Sequence, residues 1–183
     1  MSISSTRTPN RRHLPLALGA ACSAGALLAL SSPTAMAVSP TTATATFDCG
    51  TWGNGSATLT AVDNGTTKTL KLTSSAITMP AGSSADPNSI TTTLKVSKTA
   101  GGVTSQVQFS AKANPGMSYP NPITLGPLKL TSGTLATGNS TNSVVLSAPA
   151  TATNWSLQIV TSSPTSATVY CVATSVQSAP FVW

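Results

Sequence analysis

The chain has 183 residues, of which only 7% are charged, and its formal net charge at pH 7 is +6. An average soluble protein carries about 25% charged residues, so the solvated surface here must be built from serine, threonine, asparagine and glutamine. The low charge and the 40% of hydrophobic residues exclude an ordinary disordered chain, which combines high net charge with few apolar side chains.

The first 37 residues predict a secretory signal peptide. A start with three arginines precedes an uncharged, mostly apolar run over residues 14–30, and the small-residue site Ala-Met-Ala follows at 35–37. The apolar run is shorter than the about 20 residues that a membrane-spanning helix needs. We therefore expect residues 1–37 to be removed on export, by the general or the twin-arginine route, and the mature chain to have no membrane span.

Removal of this segment changes the inventory of reactive residues. The three arginines and the sole histidine, His13, lie within it, so the 146 residues that remain of 183 carry six lysines and three aspartates, a formal charge of +3. The cysteine count falls from three to two, Cys49 and Cys171. Two cysteines in an oxidising compartment predict one disulfide. The remaining length is enough for one domain with its own core.

The predicted domain spans residues 46–176 and follows a flexible leader over 38–45, where Pro40 and repeated Thr-Ala indicate flexibility. A hairpin is predicted around Asp63-Asn64-Gly65, because Asn-Gly supplies positive φ at little cost and apolar residues alternate on both sides. A second hairpin is predicted over 90–112, where two runs of period-two alternation flank Gly101-Gly102.

The second half of the domain predicts further strands separated by turns. The segment 114–122 contains three prolines and cannot form a central strand, since proline donates no ladder hydrogen bond. The further strands are expected near residues 123–130, 143–147, 154–160 and 166–174. About eight or nine short strands predict an all-β fold, a sandwich or a barrel, and of the two we expect a single antiparallel β-sandwich of immunoglobulin-like architecture.

The two cysteines lie in predicted strands near opposite ends of the domain. Phe47 and Cys49 share a period-two register in the first strand, as Val169 and Cys171 do in the last, so both thiols should face the apolar side. A Cys49–Cys171 disulfide would join these terminal strands. Immunoglobulin domains bridge inner strands instead and place a tyrosine two residues before the second cysteine, where this chain has Val169, so the likeness is one of architecture.

The C-terminal tail, residues 177–183, ends on three bulky apolar residues, Phe-Val-Trp. We expect this tail to pack on the domain as a last strand rather than to dock onto another chain.

No catalytic or metal site is predicted. Without a histidine in the mature chain, Ser-His-Asp and Cys-His mechanisms are excluded, and zinc would lose its commonest nitrogen ligand. Paired-carboxylate mechanisms need two carboxyls held close together. Asp48, Asp63 and Asp86 each lie beside turn-prone residues, and turn chemistry explains Asp63 and Asp86. We therefore expect a protein that is not an enzyme and has no cofactor.

The charged and aromatic residues limit the class of partner. The six lysines are dispersed and no arginine remains, so nucleic acid is not expected, while weak attraction to anionic wall polymers stays open. Trp52 and Tyr119 lie in Gly- and Pro-rich loops, where we expect exposure, and could present ring faces to sugars. Trp155 shares a predicted strand face with Leu157 and Ile159 and is expected in the core.

Four segments stand out by their positions: the arginine-bearing start, Ala-Thr-Phe-Asp-Cys at 45–49, the Pro-led strand over 122–134 and Val-Tyr-Cys at 169–171. Together they resemble secreted actinobacterial β-sandwich proteins of unknown function, which have one cysteine near each end of the domain and a Pro-led strand between. The similarity spans most of residues 45–173. It implies a β-sandwich fold and an extracellular compartment, and it assigns no site.

The leading hypothesis is a secreted, non-enzymatic β-sandwich that serves as a cell-surface or extracellular structural or adhesive module. The expected partners are cell-wall polymers, glycans or another surface protein, and the expected location is extracellular or cell-wall associated. One alternative is a glycan- or wall-binding module that acts through Trp52 and Tyr119. Another is a secreted protease inhibitor, which would need an exposed loop braced by a disulfide.

Overall fold

The computed structural model describes residues 37–183, so the predicted signal peptide lies outside the described residues apart from Ala37. Within this range the chain is all-β, as predicted, with one 3-10 turn at Gly50–Trp52 and no helix long and apolar enough to cross a membrane. The strands are β1 (Thr42–Asp48), β2 (Asn54–Asp63), β3 (Lys68–Thr78), β4 (Ser84–Ala85), β5 (Ile90–Ala100), β6 (Val103–Lys112), β7 (Met117–Ser118), β8 (Pro122–Ser132), β9 (Ser140–Ser143), β10 (Leu157–Thr161), β11 (Ala167–Ala173) and β12 (Phe181–Val182).

One antiparallel sheet closes on itself. Its strand order is β10-β11-β1-β2-β3-β8-β6-β5-β9-β12, and β10 also pairs with β5, so eight strands form a continuous ring. A ring leaves none of its own strands with a free edge, which is how barrels avoid edge-to-edge association. The predicted sandwich of two packed sheets is therefore not confirmed, and the arrangement is barrel-like.

The closure depends on β5, which is long enough to pair with two different strands along one of its edges. Its residues 90–94 pair with β10, its residues 96–99 pair with β9, and its other edge pairs with β6. β9 continues to β12, where Val182 and Ser39 exchange backbone hydrogen bonds of 3.0 and 2.8 Å. The N- and C-terminal segments thus close the barrel a second time, through β9 and β12, next to residues 96–99 of β5.

The predicted flexible leader is wrong, because residues 42–45 form the first half of β1 and Val38 is buried. The repeated Thr-Ala is a strand pattern in which Ala43 and Ala45 fill narrow core positions while the threonines face outward. Ser178 donates its backbone N–H to the carbonyl oxygen of Thr44 at 2.8 Å, so the tail holds the second edge of this half-strand.

The C-terminal tail packs into the barrel, as expected, rather than extending from it. Phe181 and Trp183 are buried, and the Trp183 ring stacks on Phe109 with 5.7 Å between ring centroids. The Trp183 indole nitrogen donates to the hydroxyl of Thr141 at 2.9 Å. The last residue of the chain is therefore part of the hydrophobic core.

The core fills the inside of the ring with the inward residues of the alternating strands. Both predicted hairpins are confirmed, because β2 pairs with β3 across 64–67 and β5 pairs with β6 across Gly101-Gly102. Of the strands predicted in the second half of the domain, the one near residues 166–174 is β11. The one expected near residues 143–147 lies earlier in the chain, as β9 at Ser140–Ser143. The largest fully buried side chains are Phe47, Leu59, Leu70, Leu72, Ile77, Ile90, Leu94, Phe109, Ile123, Leu125, Leu128 and Phe181.

The predicted disulfide is present between Cys49 and Cys171, with 4.1 Å between their Cα atoms. Phe47 pairs with Ala173 and Asp48 with Val172, so the two cysteines occupy the next position in the same cross-strand register. Both are buried in the core. The bond thus fastens β1 to β11, although β12 rather than β11 is the last strand.

Candidate functional site

The outer surface of β1, β2, β3 and β8 carries a regular array of hydroxyl side chains. Cross-strand pairing aligns Thr44 with Thr58, Thr58 with Thr73, and Thr73 with Thr124, so one row of threonines crosses four strands. Because neighbouring strands lie about 4.8 Å apart, this row is about 14 Å long. We call the array the hydroxyl face and define it by Thr42, Thr44, Thr46, Ser56, Thr58, Thr60, Thr73 and Thr124.

The hydroxyl face follows from period-two alternation combined with register. Ala43, Ala45 and Leu59 point into the core, so the residues between them must point outward. Threonine suits such positions because its β-branched side chain fits a pleated, half-solvated surface and is stiff at χ1. The threonine hydroxyls of the face are therefore restricted at χ1 and are carried by a closed sheet.

These hydroxyls are available to a ligand. Thr42, Thr44, Ser56 and Thr58 are exposed and the other four members are half-buried. Within residues 37–183 the hydrogen bonds recorded at Thr46 and Ser56 use backbone groups, and none of the eight hydroxyls bonds to the protein. Each hydroxyl can donate one hydrogen bond and accept two. The face therefore offers unused donors and acceptors at regular spacing.

A shallow groove of about 350 Å³ lies beside the C-terminal half of β3 and shares part of the hydroxyl face. Ser56, Thr58, Thr73 and Ser75 line it together with Ser74 and Pro122. The Ser74 hydroxyl donates to the backbone oxygen of Ser56 at 2.7 Å and accepts from the N–H groups of Ala76 and Ile77. Ser74 thus shapes the bulge of β3, whereas the other hydroxyls of the groove make no hydrogen bond in the part of the chain that the structure describes.

The hydroxyl face has no charged member. Lys71 lies at its border, opposite Thr60, and Asp48 lies at the end of β1, opposite Asn54. Asp48 is already engaged, because one of its carboxylate oxygens accepts the N–H of Gly50 at 2.9 Å. The face is therefore suited to neutral, hydroxylated ligands rather than to ions.

The structure corrects the expected exposure of Trp52, which is only 5% exposed and belongs to the core. The turn is held against β3, since a Cβ on Gly53, whose φ is +99°, would lie 2.7 Å from the carbonyl oxygen of Ala76. Tyr119 is 50% exposed in the connection between β7 and β8. Because Trp52 is buried, it cannot share a sugar-binding surface with Tyr119.

Trp155 is half-buried outside the core, although its spacing from Leu157 and Ile159 predicts a core position. β10 begins only at Leu157, so the strand alternation does not extend to Trp155. The Lys95 ammonium lies 3.5 Å from the centre of the Trp155 ring, and the Tyr170 ring lies 6.4 Å away. Burial lowers the pKa of Lys95. No spacing in the sequence relates these three residues, which come from different parts of the chain.

Asp63 and Lys68 form an ion pair across the base of the β2–β3 hairpin. Burial alone would raise the pKa of Asp63, but hydrogen bonds from Lys68 and from the Gly65 N–H, with the charge of Lys68, lower it overall. The Asp63 side chain is 4% exposed. Because its pKa is lowered on folding, this carboxylate contributes stability above the ordinary aspartate pKa of about 3.9, and the contribution is lost as the pH falls through the folded-state pKa.

Asp63→Asn is expected to lower the free energy of unfolding at pH 7 by about 1 kcal/mol, since it removes the charge that pairs with Lys68. The difference from wild type should persist down to about pH 5 and be lost as the pH falls below the ordinary aspartate pKa of about 3.9 and through the lowered folded-state pKa. Urea unfolding of wild type, Asp63→Asn, Lys68→Gln and the double variant measures the coupling between the two side chains. A coupling energy that stays unchanged in strong acid would contradict this assignment.

The comparisons with known proteins add no assignment. No protein-family model, curated protein or solved structure matches this chain. In residues 37–183 no three histidine, cysteine, aspartate or glutamate side chains lie together in a way that could hold a metal ion. The candidate site therefore rests on the hydroxyl face itself.

Proposed function

We propose that the protein is an extracellular, non-enzymatic adhesive module that binds neutral hydroxylated polymers through the hydroxyl face. The observation that carries this proposal is the row of Thr44, Thr58, Thr73 and Thr124, whose hydroxyls are aligned across four strands and have no partner in the described residues. Export by the predicted signal peptide is part of the proposal. The disulfide supports it, because such bonds persist in oxidising compartments.

The closed sheet and its stiff threonine side chains favour this role. Ordering side chains and loops on binding costs free energy, and a face built from stiff threonines on a closed sheet avoids most of that cost. Each hydrogen bond to a ligand contributes about 1 kcal/mol net, so one row binds weakly. Many copies along a polymer or on a cell surface raise the overall avidity, as adhesion requires.

The other functions considered gain less support from the described residues. Glycan binding through loop aromatics would rest on Tyr119 alone, since Trp52 is buried. A protease inhibitor needs an exposed loop braced by a disulfide, whereas this disulfide joins two neighbouring strands inside the core. The hydroxyl face supports an adhesive role without either feature.

The test is co-sedimentation of the mature protein with insoluble cellulose, chitin and purified bacterial cell wall. The variant Thr58→Val, Thr73→Val, Thr124→Val keeps the side-chain shape and removes three hydroxyls of the central row. We expect wild type to bind at least one polymer and the variant to bind it about tenfold more weakly, which corresponds to the loss of one to two hydrogen bonds.

The matched control is Thr91→Val, Thr99→Val, Thr104→Val, which removes three exposed hydroxyls from β5 and β6. Melting temperatures close to that of wild type would show that both triple variants remain folded. The proposal fails if wild type binds none of the polymers, or if both triple variants bind as wild type does.

A further inference from the structure

A second groove, of about 400 Å³, lies where β3 and β8 separate. The two strands pair as far as Thr69 and Lys129. Beyond that point β3 leads back into β2 through the turn at 64–67, whereas β8 continues along β6 to Ser132. The space between them is lined by residues 65–68 on one side and by residues 129–130 and 133–135 on the other. We call it the lysine groove.

The charge that the lysine groove presents to solvent is positive. Lys68 and Lys129 line the groove, and Lys98 donates from its ammonium to the backbone oxygen of Thr134 in the groove wall at 3.2 Å. Lys129 is exposed and has no acidic partner in the described residues. It therefore supplies an uncompensated positive charge.

The carboxylate nearest to the groove is enclosed. Both oxygens of Asp63 are engaged, one by the N–H of Gly65 at 2.8 Å and the other by Lys68, and its side chain is almost fully buried. The Lys68 ammonium also lies 5.6 Å from the centre of the Trp183 ring, which fixes its position above the barrel end. The negative charge thus lies beneath Lys68 and does not line the groove.

Two neutral donors also line the lysine groove. Thr66 and Thr134 line the groove, and within residues 37–183 their hydroxyls make no hydrogen bond to the protein. A lysine ammonium carries three donors and binds phosphate as a point charge. Among the described residues, the unpaired Lys129 ammonium, the Lys68 donors that Asp63 does not use and two free hydroxyls suit a group with several acceptor oxygens. The volume leaves room for the chain that carries such a group.

We infer that the lysine groove binds a phosphate group, either as a phosphodiester in an anionic polymer or as the free ion. This site does not depend on the hydroxyl face, which has no charged member. Because Lys129 is open to solvent, the expected dissociation constant for inorganic phosphate is about 1 mM or weaker, and added salt should weaken binding further.

Titration of ¹⁵N-labelled mature protein with sodium phosphate, and separately with soluble poly(glycerol phosphate), tests the inference by NMR. We expect amide shifts to concentrate at residues 65–68 and 129–135 and to shrink when sodium chloride rises from about 0.05 M to about 0.5 M. Lys129→Gln should weaken binding about fivefold or more through loss of the uncompensated charge. Its matched control, Lys112→Gln, removes an exposed lysine of β6 that does not line the groove.

Each outcome of the titration bears on the inference. Tighter binding of the polymer, counted per phosphate, would support polymer-borne phosphate as the ligand, and equal or tighter binding of the free ion would support inorganic phosphate. The inference is overturned if neither probe shifts the groove amides, or if Lys112→Gln weakens binding as much as Lys129→Gln. The Thr58→Val, Thr73→Val, Thr124→Val variant should bind phosphate as wild type does, so failure of one site does not imply failure of the other.

Discussion

Replacing Cys49 and Cys171 with alanine is expected to lower the free energy of unfolding by about 4 kcal/mol, which corresponds to a fall in Tm of about 10 °C for a domain of this size. The bond closes a loop of 122 residues, which strongly restricts the unfolded chain. It also fastens the shortest junction of the ring, because β1 and β11 share only two paired positions whereas β1 and β2 share seven. We expect loss of the disulfide to open the barrel first at this junction.

Thermal unfolding with and without a thiol reductant measures the effect, and hydrogen exchange of the β1 and β11 amides locates it. The double alanine variant in reductant is the control, since it has no bond to reduce and should melt at the same temperature in both buffers. If reductant leaves the wild-type Tm unchanged while mass spectrometry shows both cysteines reduced, the disulfide does not stabilise the fold in this way.

Trp183→Ala is expected to lower the free energy of unfolding by about 3 to 5 kcal/mol, although it changes only the last residue of the chain. The ring is 2% exposed, stacks on Phe109 and meets the edge of Phe181 with 6.4 Å between centroids. Its removal leaves a cavity at the barrel end and deprives the buried Thr141 hydroxyl of its donor. Urea unfolding of the variant provides the measurement.

Val182→Ala is the matched control for this position, because Val182 is 43% exposed and precedes Trp183 directly. Its expected cost is about 0.5 kcal/mol or less, as for other exposed positions. If Trp183→Ala is no more destabilising than Val182→Ala, the tail does not contribute to the core as its burial indicates. Unchanged melting of a chain that lacks residues 178–183 would contradict the packed tail more directly.

Much of the secondary structure could be predicted from local patterns. Asp63-Asn64-Gly65 and Gly101-Gly102 were sufficient to predict two hairpins, since glycine and asparagine reach the backbone conformations of tight turns at little cost. The prediction of a flexible leader is wrong because alanine is small and contributes little to a hydrophobic pattern, so the alternation of Ala43 and Ala45 with threonine indicates a strand only weakly. Closure could not be predicted, since side-chain alternation does not specify which strand will pair with each edge of β5.

The candidate site, too, could be predicted from the sequence only in part. That Thr44, Thr58, Thr73 and Thr124 face outward follows from alternation along each strand. Their alignment into one row depends on the register between strands, and the bulges of β3 and β8 set this register for the last of the three pairings, between Thr73 and Thr124. The Gly-rich loop around Trp52 predicts exposure, but close contact of Gly53 with β3 places Trp52 in the core.

The amino-acid sequence was sufficient to predict an all-β domain, the side of each strand on which its apolar side chains lie, and the Cys49–Cys171 bond. Each of these depends on composition or on the period-two geometry of a single strand. The tertiary structure alone decided that the sheet closes into a ring, that Trp183 completes the core and that the threonine hydroxyls form rows. These features depend on register and edge pairing between segments far apart in the chain, and no local pattern of residues encodes those pairings.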